Sequence, residues 1–145
     1  MLYPILVNKE WADMNLYGLG LQDSTLNFKN REVYIDTIKA EWVRMHNGKD
    51  TLLSYAFDYF KFDSNGNVTY DWDLKSYGLC GNGLIYFDRA EWALTGENIM
   101  LDMEGDISMV GKFHYRNEYK IIFHDRNTLQ LKLIKVLESK FEKRR

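Results

Sequence analysis

The sequence predicts an all-β protein whose strands form an antiparallel up-and-down meander and close into a barrel. Two patterns support this fold class. Apolar residues recur at every second position over several stretches, and short polar breaks with turn-forming residues separate these stretches. The composition agrees, because aromatic residues make up 15% of the chain and proline occurs once, which is typical of long antiparallel strands. A chain of 145 residues is expected to form a single domain, 1–145.

The first hairpin is predicted around Asn65 and Gly66, a pair that tolerates the positive φ angles of a type I′ turn. The strand after this turn alternates apolar and polar residues, and the strand before it carries aromatic residues at every second position. A two-residue loop sets three pairs opposite each other: Tyr59 with Trp72, Phe57 with Leu74 and, on the outer face, Asp58 with Asp73.

A second hairpin is predicted around Gly96 and Glu97, where the same alternation surrounds a short turn. The turn creates three inward pairs and one outward pair: Leu94 with Ile99, Trp92 with Leu101, Ala90 with Met103 and, outward, Glu91 with Asp102. We therefore expect the side chain of Trp92 to point into the barrel and to pack against Leu101.

Two further hairpins are predicted toward the C terminus, with loops at 116–118 and 125–127. The first loop sets Phe113 against Ile121 and Tyr115 beside Tyr119. The second loop sets Tyr119, Ile121 and Phe123 opposite Leu133, Leu131 and Leu129. His114 and His124 then point outward, and two exposed histidines without a third ligand make a poor metal site.

The stretch 31–45 is compatible with two structures. A strand would point Tyr34, Ile38, Ala40 and Trp42 inward, and its most regular part would lie around 39–45. A helix would align Ile35, Ile38, Trp42 and Met45 on one stripe. We expect the strand, followed by a turn in "HNGKD". The preceding stretch 15–30 has too little periodicity for an assignment.

The segment 75–84 contains three glycines and the only cysteine, Cys80. Glycine-rich composition predicts a flexible loop at one end of the sheet. If the barrel binds a ligand, residues 75–83 are the part expected to open and admit it. A single cysteine excludes an intrachain disulfide, and Cys80 has no neighbouring histidine or aspartate in the sequence that would activate it.

About seven strands are expected between residues 52 and 136, and together they must hide one apolar face. Closure into a barrel does so and also removes the exposed edges of the sheet. The residues predicted to point inward are bulky: Phe57, Tyr59, Trp72, Leu74, Trp92, Leu94, Leu101, Phe113, Ile121, Phe123, Leu129 and Leu131. They could fill the interior or surround a small ligand, and the pattern leaves both arrangements open.

Four segments in order carry a resemblance to a known family: "AEWVRMHNGK", "FKFDSNGNV", "AEWALTGENIMLD" and "YKIIFHDRNTLQLKL". The order resembles the small lipocalin-like domains of the calycin group that are common among bacterial cell-envelope proteins. The likeness is one of pattern and covers 40–136, which leaves 137–145 as a polar tail. It implies an eight-stranded barrel, often on an exported or lipid-anchored protein. The G-x-W signature of true lipocalins is absent, since Trp11 and Trp42 follow glutamates.

Charge and motifs argue against several function classes. The formal net charge is −2, and the 19 basic and 21 acidic residues are mixed along the chain, so no field favours nucleic acid or an anionic membrane. No apolar run approaches the ~20 residues of a membrane-spanning helix. The chain has no glycine-rich phosphate loop, nucleophile elbow or two-histidine metal motif. We therefore expect that the protein is not an enzyme and binds no cofactor.

The remaining expectation is a non-catalytic lipocalin-like binding protein that holds a small apolar or amphipathic ligand in the barrel. The candidate ligand-binding residues are Tyr55, Phe57, Tyr59, Trp72, Tyr86 and Trp92. The alternative is a solidly packed barrel that serves as a surface-recognition module for a partner protein or a glycan. The resemblance implies a cell-envelope or secreted location for either.

Overall fold

A computed structural model describes residues 3–14, 24–49, 53, 55–75, 85–107 and 110–143. The helices and strands are α1 Tyr3–Leu6, β1 Glu10–Asp13, β2 Thr25–Asn30, α2 Arg31–Met45, β3 Tyr55–Phe62, β4 Val68–Lys75, β5 Ile85–Thr95, β6 Asn98–Ile107, β7 Gly111–His124 and β8 Thr128–Lys143. The eight strands form one antiparallel sheet in the order β4-β3-β1-β2-β8-β7-β6-β5, and this sheet curls into a nearly closed barrel. The predicted fold class is confirmed.

The N-terminal part of the sheet contains an insertion that the sequence pattern did not indicate. β1 pairs with both β2 and β3, so the chain crosses over β1 between these two strands, and α2 makes the crossing. The glycine-rich segment from 76 to 84, which includes Cys80 and the predicted lid, lies outside the described residues.

The stretch 31–45 is the helix α2, so the expected strand at 39–45 is wrong. Asn30 starts the helix, because its side-chain oxygen accepts hydrogen bonds from the backbone nitrogens of Glu32 at 3.1 Å and Val33 at 3.5 Å. The helix lies against the outer face of the barrel and none of its side chains is fully buried. The apolar residues of this stretch fit the two-residue repeat of a strand and the repeat of a helix equally well. The N-cap formed by Asn30 favours the helix.

The β5–β6 hairpin has the predicted register. Thr95 pairs with Asn98 around Gly96 and Glu97, and Gly96 takes a positive φ of 66°. Leu94, Trp92 and Ala90 face Ile99, Leu101 and Met103 as expected. Trp92 and Leu101 are both buried, which confirms that the side chain of Trp92 points inward.

The predicted register of the β3–β4 hairpin is wrong by one residue, because the loop has three residues and not two. The backbone nitrogen of Asp63 donates to the oxygen of Asn67 at 2.8 Å, and Gly66 donates to Asp63 at 3.0 Å. Gly66 alone takes a positive φ, of 91°, as in a type I turn followed by a bulge. Three pairs show the shift: Phe57 with Asp73, Asp58 with Trp72 and Tyr59 with Asp71.

This shift exchanges the two faces of β3. Phe60 and Phe62 point into the barrel and are fully buried. Tyr55, Phe57 and Tyr59, which were predicted to point inward, lie on the outer face, where the ring of Phe57 meets Tyr34 of α2 at 4.9 Å. The guanidinium of Arg31 lies 4.1 Å above the ring of Tyr59.

The C-terminal hairpins are longer than predicted. No turn occurs at 116–118, since β7 runs without interruption through these residues and pairs with both β6 and β8. Phe113 therefore faces Gly105 and Phe141, not Ile121.

The loop at 125–127 is present, and the pairs Tyr119–Leu133 and Ile121–Leu131 are confirmed. A bulge then moves Phe123 opposite Gln130 and leaves it exposed, contrary to expectation. Residues 137–143 continue β8 and are not a tail.

The barrel interior is filled with side chains at the end where the 63–67 and 96–97 loops lie. Rings of Phe28, Phe60, Phe62 and Trp92 form edge-to-face contacts with centroid distances of 5.8 to 6.3 Å. Leu6 of α1 is fully buried at this end, and its carbonyl oxygen accepts a hydrogen bond from the indole nitrogen of Trp11 at 3.2 Å. The first helical turn thus closes this end of the barrel.

Candidate functional site

The barrel is incompletely closed between β4 and β5. At one end the backbone nitrogen of Trp92 donates to the oxygen of Gly66 at 2.9 Å, and Asn67 faces Glu91 in an isolated bridge. Beyond that bridge no ladder joins the two strands among the described residues. We call the gap between residues 68–72 and 85–90 the β4–β5 seam.

The β4–β5 seam contains a cleft of about 550 Å³. Its apolar lining consists of Val68, Tyr70, Trp72, Ile85, Phe87 and Ala90, and its polar lining consists of Asn67, Asp71, Tyr86, Asp88 and Arg89. The volume falls within the range of ~300–1,000 Å³ that is common for small-molecule sites. The mixture of aromatic walls and a few polar groups is also typical of such sites.

The aromatic residues of the cleft are part of the packed core. The ring of Tyr70 lies 5.0 Å from Phe60 and 4.8 Å from Phe87. Phe87 in turn contacts Phe113, with a centroid distance of 5.8 Å. Because these rings are held by their neighbours, the cleft has fixed apolar walls, and a ligand would meet them without ordering mobile side chains.

Two buried carboxylates lie on β1 and β3 behind the cleft. Only 4% of the surface of Asp13 and 9% of that of Asp58 is exposed. Asp58 had been predicted on the outer, solvent-exposed face. Burial raises the pKa of Tyr70 above its ordinary value of 10.0, and the charges of Asp58 and Asp13 raise it further. The Tyr70 hydroxyl thus keeps its proton at neutral pH, and its oxygen is buried behind the cleft.

An ion-pair cluster on the outer face holds β5 beside the seam. Arg89 donates to Glu91 at 3.2 Å, to Glu104 at 3.2 Å and to Asp102 at 3.1 Å. Asp102 also bonds His114 at 2.9 Å, and His114 lies on the outer face as predicted. Burial alone would raise the pKa of Asp102, but the hydrogen bonds from Arg89 and His114 outweigh it and hold this pKa below 3.8. No group of three potential metal ligands occurs in the described part of the chain.

The structure brings two of the six predicted site residues to the seam. Trp72 lines the cleft, and Tyr86 lies at its rim with 56% of its surface exposed. Trp92 lies in the core, where its indole nitrogen donates to the oxygen of Asp63 at 2.8 Å. The other three, Tyr55, Phe57 and Tyr59, lie on the outer face.

Sequence reasoning missed Tyr70 and Phe87, the central residues of the cleft. Tyr70 shares the period-two pattern of Trp72, which is a signal that could have identified it. Continuing the inward alternation of Leu94, Trp92 and Ala90 along β5 would point Phe87 outward, and the bulge between Phe87 and Arg89 reverses this. Its position depends on the β5–β6 pairing.

The chain matches no protein-family model, no curated protein and no solved structure. Within the described ranges, no helix is long and apolar enough to cross a membrane.

Proposed function

We propose that the chain is a non-catalytic binding protein that takes a flat apolar or amphipathic small molecule in the β4–β5 seam. The open seam, whose aromatic walls are backed by the packed core, is the observation that carries this proposal. An eight-stranded barrel has room either for side chains or for one small ligand. Here side chains fill the interior, so the ligand would bind in the open side of the barrel.

The chemistry of the lining defines the ligand further. Trp72, Tyr70 and Phe87 offer aromatic surface, so a planar unsaturated molecule gains the most contact area. The rim of the cleft carries both negative and positive side chains, because Asp71, Asp88 and Arg89 all lie there. A neutral molecule therefore fits better than an ion. The lipocalin-like resemblance, with its envelope or secreted location, belongs to the same proposal.

Titration with the neutral planar dye Nile red, followed by its fluorescence, tests the site. We expect saturable binding of one dye per chain. Trp72→Ala and Phe87→Ala should each weaken binding by roughly 3- to 10-fold, because an aromatic contact contributes about 0.5–1.5 kcal/mol.

Phe141→Ala is the matched control, since it removes a 45% exposed aromatic ring from β8 and leaves the seam intact. Its dissociation constant should equal that of the unmodified protein. Binding that is weakened by Phe141→Ala, and left unchanged by the two seam variants, would reject the proposal.

The alternative of a surface-recognition module is favoured by a different feature, the exposed apolar side chains of β7 and β8. Partner binding at that surface would leave dye binding in the seam unchanged.

A further inference from the structure

The C-terminal half of β8 carries exposed apolar residues, and among the described residues no strand pairs with one of its two edges. β8 pairs with β2 over residues 128–132, and Leu133 donates to Ser24 at 2.7 Å. From residue 134 to residue 143, the only described partner of β8 is β7 on the other edge. Of ten large apolar side chains that are exposed in the described ranges, six lie on these two strands: Ile122, Phe123, Ile134, Val136, Leu137 and Phe141. Such an edge is a template for another strand.

The faces of this segment follow from its pairing with β7. Lys135, Glu138, Lys140 and Glu142 face Glu118, Arg116, His114 and Lys112, so all four lie on the outer face. Val136, Ser139 and Phe141 share the other face with Asn117, Tyr115 and Phe113. The register shifts between Arg116 and Asn117, so Leu137 is the extra residue of a bulge.

When this segment of two copies is paired antiparallel, one register matches the most charges of the outer face with charges of opposite sign. With a two-fold axis at Ser139, Glu138 of one copy faces Lys140 of the other. Across the bulge, Phe141 then faces the Val136–Leu137 pair, and Glu142 faces Lys135. Each charge therefore meets the opposite charge, and apolar side chains meet apolar side chains.

Registers centred on the charged residues next to Ser139 are repulsive. With a two-fold axis at Glu138, the Glu138 side chains of the two copies would face each other. With an axis at Lys140, the two Lys140 side chains would face each other, and Glu138 of one copy would face Glu142 of the other. An axis between two residues places outer side chains opposite inner ones, which breaks the alternation of the sheet. Charged side chains, especially lysines, are one way in which strand edges are protected. A two-fold axis at Phe141 also places Lys140 opposite Glu142, but it matches fewer of the charges in residues 135–142 than an axis at Ser139 does. Alternating signs that match most fully around Ser139 point to a partner strand of the same sequence.

We infer that residues 135–142 of β8 pair antiparallel with the same segment of a second copy of this chain, with the two-fold axis at Ser139. The pairing extends the sheet of one barrel into the sheet of the other, and it covers Val136, Leu137 and Phe141. This inference does not depend on ligand binding in the seam.

Sedimentation equilibrium of the full chain tests this interface. We expect a mass of 2 × 17.2 = 34.4 kDa that dissociates on dilution. Glu138→Lys and Lys140→Glu should each weaken association at least about tenfold, because either change sets like charges opposite each other. Thermal unfolding of each variant checks that the barrel remains folded.

Mixing the two variants provides the sharper result. The two chains carry opposite charges at the facing positions 138 and 140, so an equimolar mixture should form a dimer although each variant alone is mostly monomeric. The rescue should weaken as salt screens the charges. A mass of 17.2 kDa for the unmodified chain at every concentration would overturn the inference and indicate a different occupant. Undiminished association of both single variants would also overturn it, because the interface would lie elsewhere.

Discussion

The two ends of the boundary between β4 and β5 differ in how the barrel closes. At the 63–67 loop, Trp92 joins β5 to the β3–β4 hairpin through its backbone nitrogen and its indole nitrogen. At the other end the strands separate and leave a cleft. The comparison shows that a few hydrogen bonds and one buried ring close this barrel, while the rest of the boundary stays accessible.

The geometry of the strands explains the difference. The three-residue loop directs the carbonyl oxygens of Asp63 and Gly66 toward Trp92. On β5, a bulge between Phe87 and Arg89 interrupts the regular pairing with β6, and bulges bend the strand that contains them. A Cβ atom at Gly105 would overlap the backbone oxygen of Tyr86, so a glycine is required opposite this bulge. The bend falls where the seam opens.

Removing the closing residue should produce the largest effect. Trp92→Ala is expected to lower the free energy of unfolding by about 3–5 kcal/mol, because it leaves a cavity and removes both the ring and its hydrogen bond to Asp63. Urea denaturation measures the loss. Trp42→Ala is the control, since Trp42 is only half-buried on α2, and its loss should be much smaller. Equal losses would show that Trp92 does not close the barrel.

A smaller effect is expected at the open end, where pH should reveal the burial of Tyr70. The raised pKa means that the folded protein holds the phenolic proton after the unfolded chain has released it. The stability that this proton contributes is present below pH 10.0, the ordinary value, and is lost as the pH rises above it.

Tyr70→Phe removes this dependence. Between pH 8 and pH 11 the unmodified protein should lose at most about 1.4 kcal/mol more stability than the variant, and less to the extent that water screens the half-buried ring. Urea denaturation at both pH values measures the difference. Parallel pH profiles of the two proteins would mean that Tyr70 ionises as freely in the folded state as in the unfolded chain.

The hairpins show how far the sequence could predict the fold. Around Gly96 the turn and the alternation agree on a two-residue loop, and the register is correct. Around Asn65 the same kind of signal predicted a register that is wrong by one residue, because Asp63 pairs with Asn67 and the loop contains three residues. A shift of one residue exchanges the faces of a strand. This single error placed Tyr55, Phe57 and Tyr59 in the site.

The seam could not be predicted, because it depends on contacts between distant parts of the chain. Period-two alternation identifies Trp72 as an inward residue, yet it contains no information on whether β4 meets β5. The bulge at Phe87 and the hydrogen bond from Trp92 to Gly66 decide that question. Similarly, the polar residues at 116–118 suggested a turn, and pairing with a strand on each side keeps this part of β7 extended.

Hydrogen–deuterium exchange with and without saturating Nile red is the most direct test of the seam as a ligand site. If the dye binds between the strands, amides in residues 68–72 of β4 and 85–90 of β5 should exchange more slowly in its presence, because the ligand excludes water from both edges. Amides of β8 from 134 to 143 should exchange at the same rate in both samples. Protection that appears on β8 and is missing from the seam would contradict the account.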